Sequence, residues 1–138
     1  MKIYFGGAIR GGRDDAALYA GIIEELKRHG DVLTEHVGDS ALLIEDEQRS
    51  DSEIFERDRT WLDEADYIIL EVTQPSLGVG WEAAYAELGS KSPVLCLFRP
   101  SSGKRLSAMI RGNSWIRVLE YETVQDAKRI FEELFLER

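Results

Sequence analysis

The sequence is poor in cysteine, in proline and in long apolar runs. Its 138 residues include one cysteine and three prolines, and no segment reaches the roughly 18 apolar residues of a membrane helix. Cys96 has no partner for an internal disulfide, and its apolar neighbours at 94–98 predict a buried, inert thiol in a reducing compartment. Met1 leads directly into an apolar segment without the shape of a signal peptide. We therefore expect a complete, cytoplasmic protein that is independent of membranes.

Positive charge is also scarce. Lysine and arginine number 17 against 26 aspartates and glutamates, which gives a net charge of −9. An acidic chain repels a polyanion, and this argues against a nucleic-acid partner. Four basic residues nevertheless lie in the acid-free segment 99–111, which is either a solvated loop or a source of local positive charge for a small phosphorylated ligand. They are Arg99, Lys104, Arg105 and Arg111.

Apolar runs and helical periodicities alternate along the chain. The predicted strands are 2–5, 31–33, 67–72, 94–98 and 116–119. The predicted helices are 14–29, 50–65, 79–90 and 123–136, with Gly30 ending the first and Thr123 capping the last. This order predicts one doubly wound, Rossmann- or flavodoxin-like α/β domain over 1–138, with a five-stranded, mainly parallel sheet. A ligand would lie at the carboxyl ends of the strands, near 6–13, 73–82 and 99–112.

Two of these three loops are rich in glycine. The loop at 6–13 follows the first strand and offers backbone N–H groups to an anion, although a plain tight turn would have the same composition. It lacks the lysine ending of a nucleoside triphosphate loop. The loop at 73–82 resembles a dinucleotide loop at Gly78 and Gly80, but Ala83 replaces the third glycine. Glu82 would face the pyrophosphate there, which disfavours NAD and suits a sugar with developing positive charge.

Glu82 and Asp58 form a candidate catalytic pair. Glu82 lies in the first turns of a helix, where the helix dipole would help to keep a nucleophilic carboxylate ionised. The helical spacing places Asp58 inside the apolar stripe of Ile54 and Trp61, where lost solvation would raise its pKa and suit it to act as a general acid. A salt bridge to Arg10 or Arg13 is the alternative. Two carboxylates with separated pKa values are typical of a glycosidase.

Longer ordered segments carry a resemblance to a known family. They are IRGGR at 9–13, VLTEHV at 32–37, EVTQPSLGVG at 71–80, LCLFRP at 95–100 and LSAMIRG at 106–112. Over Ile3 to about Arg111 the chain resembles the 2'-deoxynucleoside 5'-phosphate N-hydrolases, relatives of the nucleoside 2-deoxyribosyltransferases. The resemblance implies hydrolysis of a nucleoside monophosphate to free base and 2-deoxyribose 5-phosphate, with no cofactor and no metal.

The resemblance also implies the roles of individual residues. Glu82 would attack the anomeric carbon to form a covalent intermediate, Asp58 would protonate the departing base, and Tyr4 would lie beside the sugar. The residues implied in substrate binding are Gly7, Ile9, Arg10, His36, Ser76, Gly78, Ser107 and Met109. Of these, His36 would lie near the base, and the last two would come from the neighbouring subunit of a homodimer. From the sequence alone, His36 could equally be a structural loop histidine and Ser107 a simple helix cap.

Two positions depart from the pattern of this family. Ala8 stands where a serine is expected, and the loss of its hydroxyl would weaken phosphate binding by about 1 kcal/mol. Trp81 stands where a tyrosine is usual, with consequences for the width of the base pocket. The alternatives are a ribonucleotide N-glycosidase acting on a substrate such as CMP, a deoxyribosyltransferase, and a nucleotide-sensing domain without activity. Fold alone would not separate them.

Overall fold

Five parallel strands form the centre of the molecule. The computed structural model describes residues 1–9, 15–39, 48–90 and 92–136. The strands are β1 (Lys2–Gly6), β2 (Asp31–Val32), β3 (Tyr67–Glu71), β4 (Val94–Phe98) and β5 (Arg117–Glu120). Their order is β2-β1-β3-β4-β5, and every pairing is parallel. This confirms the predicted fold class, and each predicted strand lies within one residue of an observed one.

Helices cover both faces of the sheet. They are α1 (Ala16–Leu26), α2 (Asp51–Glu64), α3 (Leu77–Tyr85), α4 (Ala108–Arg111) and α5 (Val124–Leu136), and a π-helical turn, Ala86–Ser90, extends α3. Alternate residues of each strand point to opposite faces. Ile3 and Phe5 therefore join α1 and α5 in one apolar cluster, while Tyr4 joins α2 and α3 in the other.

Local capping explains where several helices begin and end. Ser50 and Glu53 form a capping box at the start of α2. The Thr123 hydroxyl accepts a hydrogen bond from the Asp126 N–H (3.3 Å), which confirms the predicted cap of α5. Gly30 was predicted to end the first helix, and this was wrong, because α1 already ends at Leu26. A Cβ at Gly30 would lie 2.4 Å from the Met1 carbonyl oxygen, so this position requires glycine for close packing.

The buried thiol and the lengths of the helices agree with the sequence. Cys96 is fully buried in β4, and burial raises its pKa to about 12. It is therefore a packing residue, as predicted. Within the described ranges, each helix falls short of the length and apolar character that crossing a membrane requires.

Candidate active site

Glu82 lies directly against the carboxyl end of β1. A Cβ added to Gly6, the last residue of that strand, would come within 2.6 Å of Glu82 Oε2 and 2.8 Å of a Leu70 methyl group. Any other residue at this position would push the carboxylate away. Gly6 is thus a site residue that the sequence reasoning missed, because its role depends on a side chain 76 positions along the chain.

The carboxylate of Glu82 is poorly solvated. Its Oε2 atom is buried and has no hydrogen-bond partner among the described residues. Burial raises the pKa of Glu82 to about 7, the negative charge of Asp58 adds to the rise, and a hydrogen bond from the Tyr4 hydroxyl opposes it. Tyr4 itself is almost completely buried beneath this carboxylate. The structure therefore brings Tyr4 and Glu82 together, while the place of Tyr4 beside the sugar stays a prediction.

The protonation of Glu82 differs from the prediction. We expected the helix dipole to favour the ionised form, but Glu82 is the sixth residue of α3, beyond the first turn where the dipole acts. Desolvation is the larger effect and favours the neutral carboxyl group. Near pH 7 both forms of Glu82 are consequently populated.

Asp58 lies on α2 in a more polar setting than its helical position predicted. Its Oδ1 atom accepts hydrogen bonds from Arg57 Nε (3.0 Å) and Arg57 Nη2 (2.9 Å), and its side chain is 29% exposed. Asp58 shares one face of its helix with Ile54, as the spacing predicted, but its carboxylate is paired with Arg57, which the prediction of lost solvation did not include. The predicted alternative partners, Arg10 and Arg13, lie outside the described residues. Arg57 went unnoticed because adjacent residues on a helix do not usually face each other.

His36 contacts the same arginine. It lies in the 3-10 turn Glu35–Gly38, with its Nε2 atom 3.4 Å from Arg57 Nη2 and its ring 5.7 Å from that of Trp61. The Arg57 guanidinium also lies over the Trp61 ring, 4.7 Å from its centre. His36 thus reaches Asp58 through Arg57, which supports the positioning of that carboxylate.

A cavity of about 380 Å³ opens above the two carboxylates. Its lining residues are Asp51, Ile54, Phe55 and Asp58 from α2 and Gly78, Trp81 and Glu82 from α3. Among the described lining residues most of the surface is apolar, and the charged groups are carboxylates. Such a cleft suits a flat, largely apolar ligand held beside acid–base groups.

Three other predicted residues line a second cavity, although Ser76 also lies near Glu82: a Cβ at Gly78 would be 3.9 Å from Ser76 Oγ and 4.0 Å from Glu82 Oε1. Ser76, Ser107 and Met109 line this larger cavity, whose volume is about 770 Å³. Ser76 caps α3 through the Val79 N–H (3.2 Å), and Ser107 caps α4. Helical spacing explains the separation, since residues 78, 81 and 82 share one face of α3 and residues 77, 80 and 84 share another. Within one chain, Ser107 and Met109 are therefore not part of the Glu82 cavity.

The first loop is described only in part. Gly7 and Ala8 are buried, and a Cβ at Gly7 would lie 3.0 Å from the Tyr19 ring. Ile9 is partly exposed, and Arg10 lies outside the described residues. Gly7 therefore has a packing role that would hold beside any contact with a ligand.

The basic residues of the third loop are partly engaged elsewhere. Arg99 pairs with Asp15 (2.7 Å) and approaches Glu71 (3.5 Å), and Arg111 pairs with Glu120 (3.3 Å). The predicted concentration of free positive charge is thus reduced by internal ion pairs. Arg105 lines the second cavity.

Two carboxylates in one cavity, at the carboxyl edge of a doubly wound parallel sheet, define a site suited to cleaving a glycosidic bond. Sequence comparison agrees with this class. The chain belongs to the nucleoside 2-deoxyribosyltransferase family, whose sequence profile matches residues 3–109.

Named relatives extend the comparison. The chain is 57% identical over 113 residues to a 5-hydroxymethyl-dUMP N-hydrolase of Rattus norvegicus, covering 80% of this chain and 69% of the relative. It is 50% identical over 141 residues to that of Esox lucius, covering 98% and 96%. Among solved structures, a CMP N-glycosidase of Clostridium botulinum superposes with a TM-score of 0.67 at 15% identity, covering 97% of this chain and 99% of that one. At that identity the structural likeness shows the fold alone.

Proposed function

We propose that this protein hydrolyses the N-glycosidic bond of 2'-deoxynucleoside 5'-monophosphates, releasing the free base and 2-deoxyribose 5-phosphate. One observation carries the proposal: the Oε2 atom of Glu82 is buried and has no hydrogen-bond partner among the described residues, and Glu82 lines the same cavity as Asp58. A desolvated carboxylate interacts strongly with positive charge that develops on a sugar ring. The N-hydrolase names of the relatives support the same reaction.

In the first step, ionised Glu82 attacks C1' of the sugar. The bond between C1' and the base nitrogen breaks, a bond between C1' and a Glu82 oxygen forms, and Asp58 gives a proton to the departing base. Tyr4 holds the Glu82 carboxylate in place through its hydrogen bond. Arg57, which binds Asp58 Oδ1, fixes the orientation of the acid.

In the second step, a water molecule hydrolyses the bond between the sugar and Glu82. Asp58, now ionised, takes a proton from a water molecule as the water oxygen attacks C1'. The bond between C1' and Glu82 breaks, and both carboxyl groups return to their starting states. No metal or redox group takes part in this scheme, because every proton and electron pair is supplied by the two carboxyl groups and water.

The proposed working unit is a homodimer. The second cavity is largely apolar, and three large side chains at or near it are highly exposed: Leu77 (97%), Leu88 (77%) and Met109 (81%). We propose that this surface is covered by a second copy, so that the partner subunit's Ser107 and the partner subunit's Met109 complete the phosphate site together with Ile9, Arg10 and Gly78. Sedimentation of the purified protein should give twice the monomer mass, and a monomer would contradict this part of the proposal.

The proposed location of the protein is the cytoplasm, and the buried Cys96 is compatible with it.

The activity can be tested by chromatography of released base. The substrates are the four deoxynucleoside monophosphates, their ribonucleotide counterparts and the unphosphorylated deoxynucleosides, each incubated with wild type and Glu82→Ala. Release from the deoxynucleotides alone, lost in the variant, is the expected result. Faster release from CMP than from dCMP would instead assign a ribonucleotide N-glycosidase. Absence of release from every substrate would leave a nucleotide-binding domain.

A further inference from the structure

One straight face of α2 forms a wall of the Glu82 cavity. Asp51, Ile54, Phe55 and Asp58 all line it, and their spacing of three, four and seven residues places them on the same side of the helix. Asp58 lies at the end of this face where the glycosidic bond would break. Asp51 lies two turns away, about 10 Å along the helix axis. The wall therefore extends well beyond the two catalytic carboxylates.

Aromatic rings form the apolar part of this extension. Phe55 of α2 and Trp81 of α3 meet edge to face with their ring centres 5.2 Å apart, and each is 43% exposed. Trp81 also stacks on Tyr85 at 5.0 Å, with 9° between the ring planes. The Tyr85 hydroxyl donates a hydrogen bond to Asp63. The rings are thus held in fixed orientations although they face the cavity, which preorganises them to receive another flat ring.

The distance between the two aspartates fits a nucleobase. Each hydrogen bond takes up about 3 Å, so a gap of about 10 Å leaves room for one planar heterocycle that is bonded at both ends. The two ends differ in chemistry. Asp58 would donate a proton to the base nitrogen, whereas an ionised carboxylate at Asp51 can only accept.

We propose that Phe55 and Trp81 are the stacking wall for the base, and that Asp51 accepts a hydrogen bond from the base edge farthest from the sugar. The preferred substrates are then nucleotides whose base carries an N–H or O–H donor on that edge, such as an exocyclic amino group or a hydroxymethyl group. This inference rests on the proposed function, and it names the specificity residues of the same site.

Paired substrates test the role of Asp51. We compare 5-hydroxymethyl-dUMP with dTMP, which differ by one hydroxyl donor. We also compare dCMP with dUMP, in which a 4-amino donor is exchanged for a 4-carbonyl acceptor and N3 changes from an acceptor to a donor. In wild type, kcat/KM should be about tenfold or more higher for dCMP than for dUMP, or for 5-hydroxymethyl-dUMP than for dTMP. In Asp51→Ala, which removes both acceptor oxygens, that ratio should fall towards one. The control variant is Glu56→Gln, an exposed position outside the cavity lining, which should leave the ratio unchanged.

Two results would overturn the role of Asp51. They are ratios near one for both pairs in wild type, and a ratio that Asp51→Ala leaves unchanged. Failure of the proposed function is a separate outcome, since it would show as absence of base release from every nucleotide.

A leucine substitution tests the stacking wall. Trp81→Leu keeps an apolar side chain but removes the flat ring, and we expect KM to rise about fivefold to a hundredfold while kcat changes less. Trp81→Phe should restore most of the loss. Trp115→Leu is the matched control, because Trp115 is 80% exposed and lies outside the cavity lining. Thermal unfolding first establishes that both variants are folded. Equal KM values for Trp81→Leu and Trp115→Leu would then overturn the stacking wall.

Discussion

Glu71 and Glu82 lie eleven residues apart at the same edge of the sheet, yet their surroundings differ. Glu71, at the end of β3, is fully buried and accepts hydrogen bonds from the Thr73 N–H (2.6 Å), the Thr73 hydroxyl (3.0 Å) and the Tyr121 hydroxyl. Arg99 adds a positive charge 3.5 Å away. Every oxygen of this carboxylate has a donor.

Glu82 has few such contacts. Its neighbours are the Tyr4 hydroxyl and the like charge of Asp58, and Oε2 has no partner among the described residues. A carboxylate whose two oxygens both receive hydrogen bonds from the protein is typical of a structural group, whereas a buried carboxylate with one oxygen left without a donor is a candidate reactive group. The comparison distinguishes a structural carboxylate, which links the ends of β3, β4 and β5, from the carboxylate proposed as the nucleophile.

Activity should separate the two residues most strongly. Glu82→Gln removes the nucleophile and should lower kcat/KM at least about a thousandfold without unfolding the protein. Glu71→Gln keeps the shape of the side chain and should retain activity within about tenfold per folded molecule. The measurement is base release, normalised to the folded fraction by circular dichroism. Equal losses in both variants would erase the distinction.

Stability should separate them in the opposite direction. Glu71→Ala leaves Arg99 and the Tyr121 hydroxyl with fewer partners in the interior, and should lower the free energy of unfolding by about 3 kcal/mol. Glu120→Ala is the control, because its pair with Arg111 is half exposed and should contribute less than about 1 kcal/mol. Urea unfolding measures both. If Glu71→Ala lowered the free energy of unfolding no more than Glu120→Ala does, the contacts of Glu71 would contribute little to stability.

The raised pKa of Glu82 also predicts a gain in stability. In the unfolded chain this group ionises near 4.5, while in the folded protein it ionises near 7, so the folded state loses relative stability as pH rises between these values. Glu82→Gln removes this cost and should be more stable than wild type by up to about 3 kcal/mol at about pH 8. The difference should shrink towards zero below pH 4.5. A less stable variant at about pH 8 would contradict the desolvation of Glu82.

The smallest expected effect belongs to Tyr4. Its hydrogen bond lowers the pKa of Glu82, so Tyr4→Phe should move the half-maximal pH of kcat/KM upward. The substrate phosphate has its own ionisation near pH 6, but that is the same for both proteins, and the shift between them reports the enzyme. A downward shift would show that Tyr4 does not stabilise the ionised form.

Much of the fold could be predicted from local patterns. The buried strands read as apolar runs, as at 94–98, and α5 follows helical periodicity from its Thr123 cap. Glu82 could also be identified as a candidate catalytic residue, because a carboxylate in the glycine-rich segment after β3 is unusual. These features depend on residues close together in the sequence.

The electrostatics of the site could not be predicted in this way. The desolvation of Glu82 depends on its approach to Gly6 and Tyr4 across the sheet, and Asp58 is held by its neighbour Arg57 in a rotamer that spacing does not reveal. The Phe55–Trp81 pair joins two helices and carries no local signal. The desolvation of Glu82 and the aromatic pair depend on contacts between distant segments, and the pairing of Asp58 depends on the side-chain conformation of its neighbour.

The pH dependence of kcat/KM tests the central claim most directly, because it reports ionisation of the free enzyme. Glu82 must be ionised to attack, so kcat/KM for a deoxynucleoside monophosphate should rise about tenfold per pH unit up to a midpoint near pH 7. It should fall again at higher pH, because Asp58 must hold the proton that it gives to the base. That result would identify a desolvated Glu82 as the nucleophile. A profile that is flat between about pH 5 and pH 8, or one with its midpoint near the ordinary glutamate value of 4.5, would contradict it.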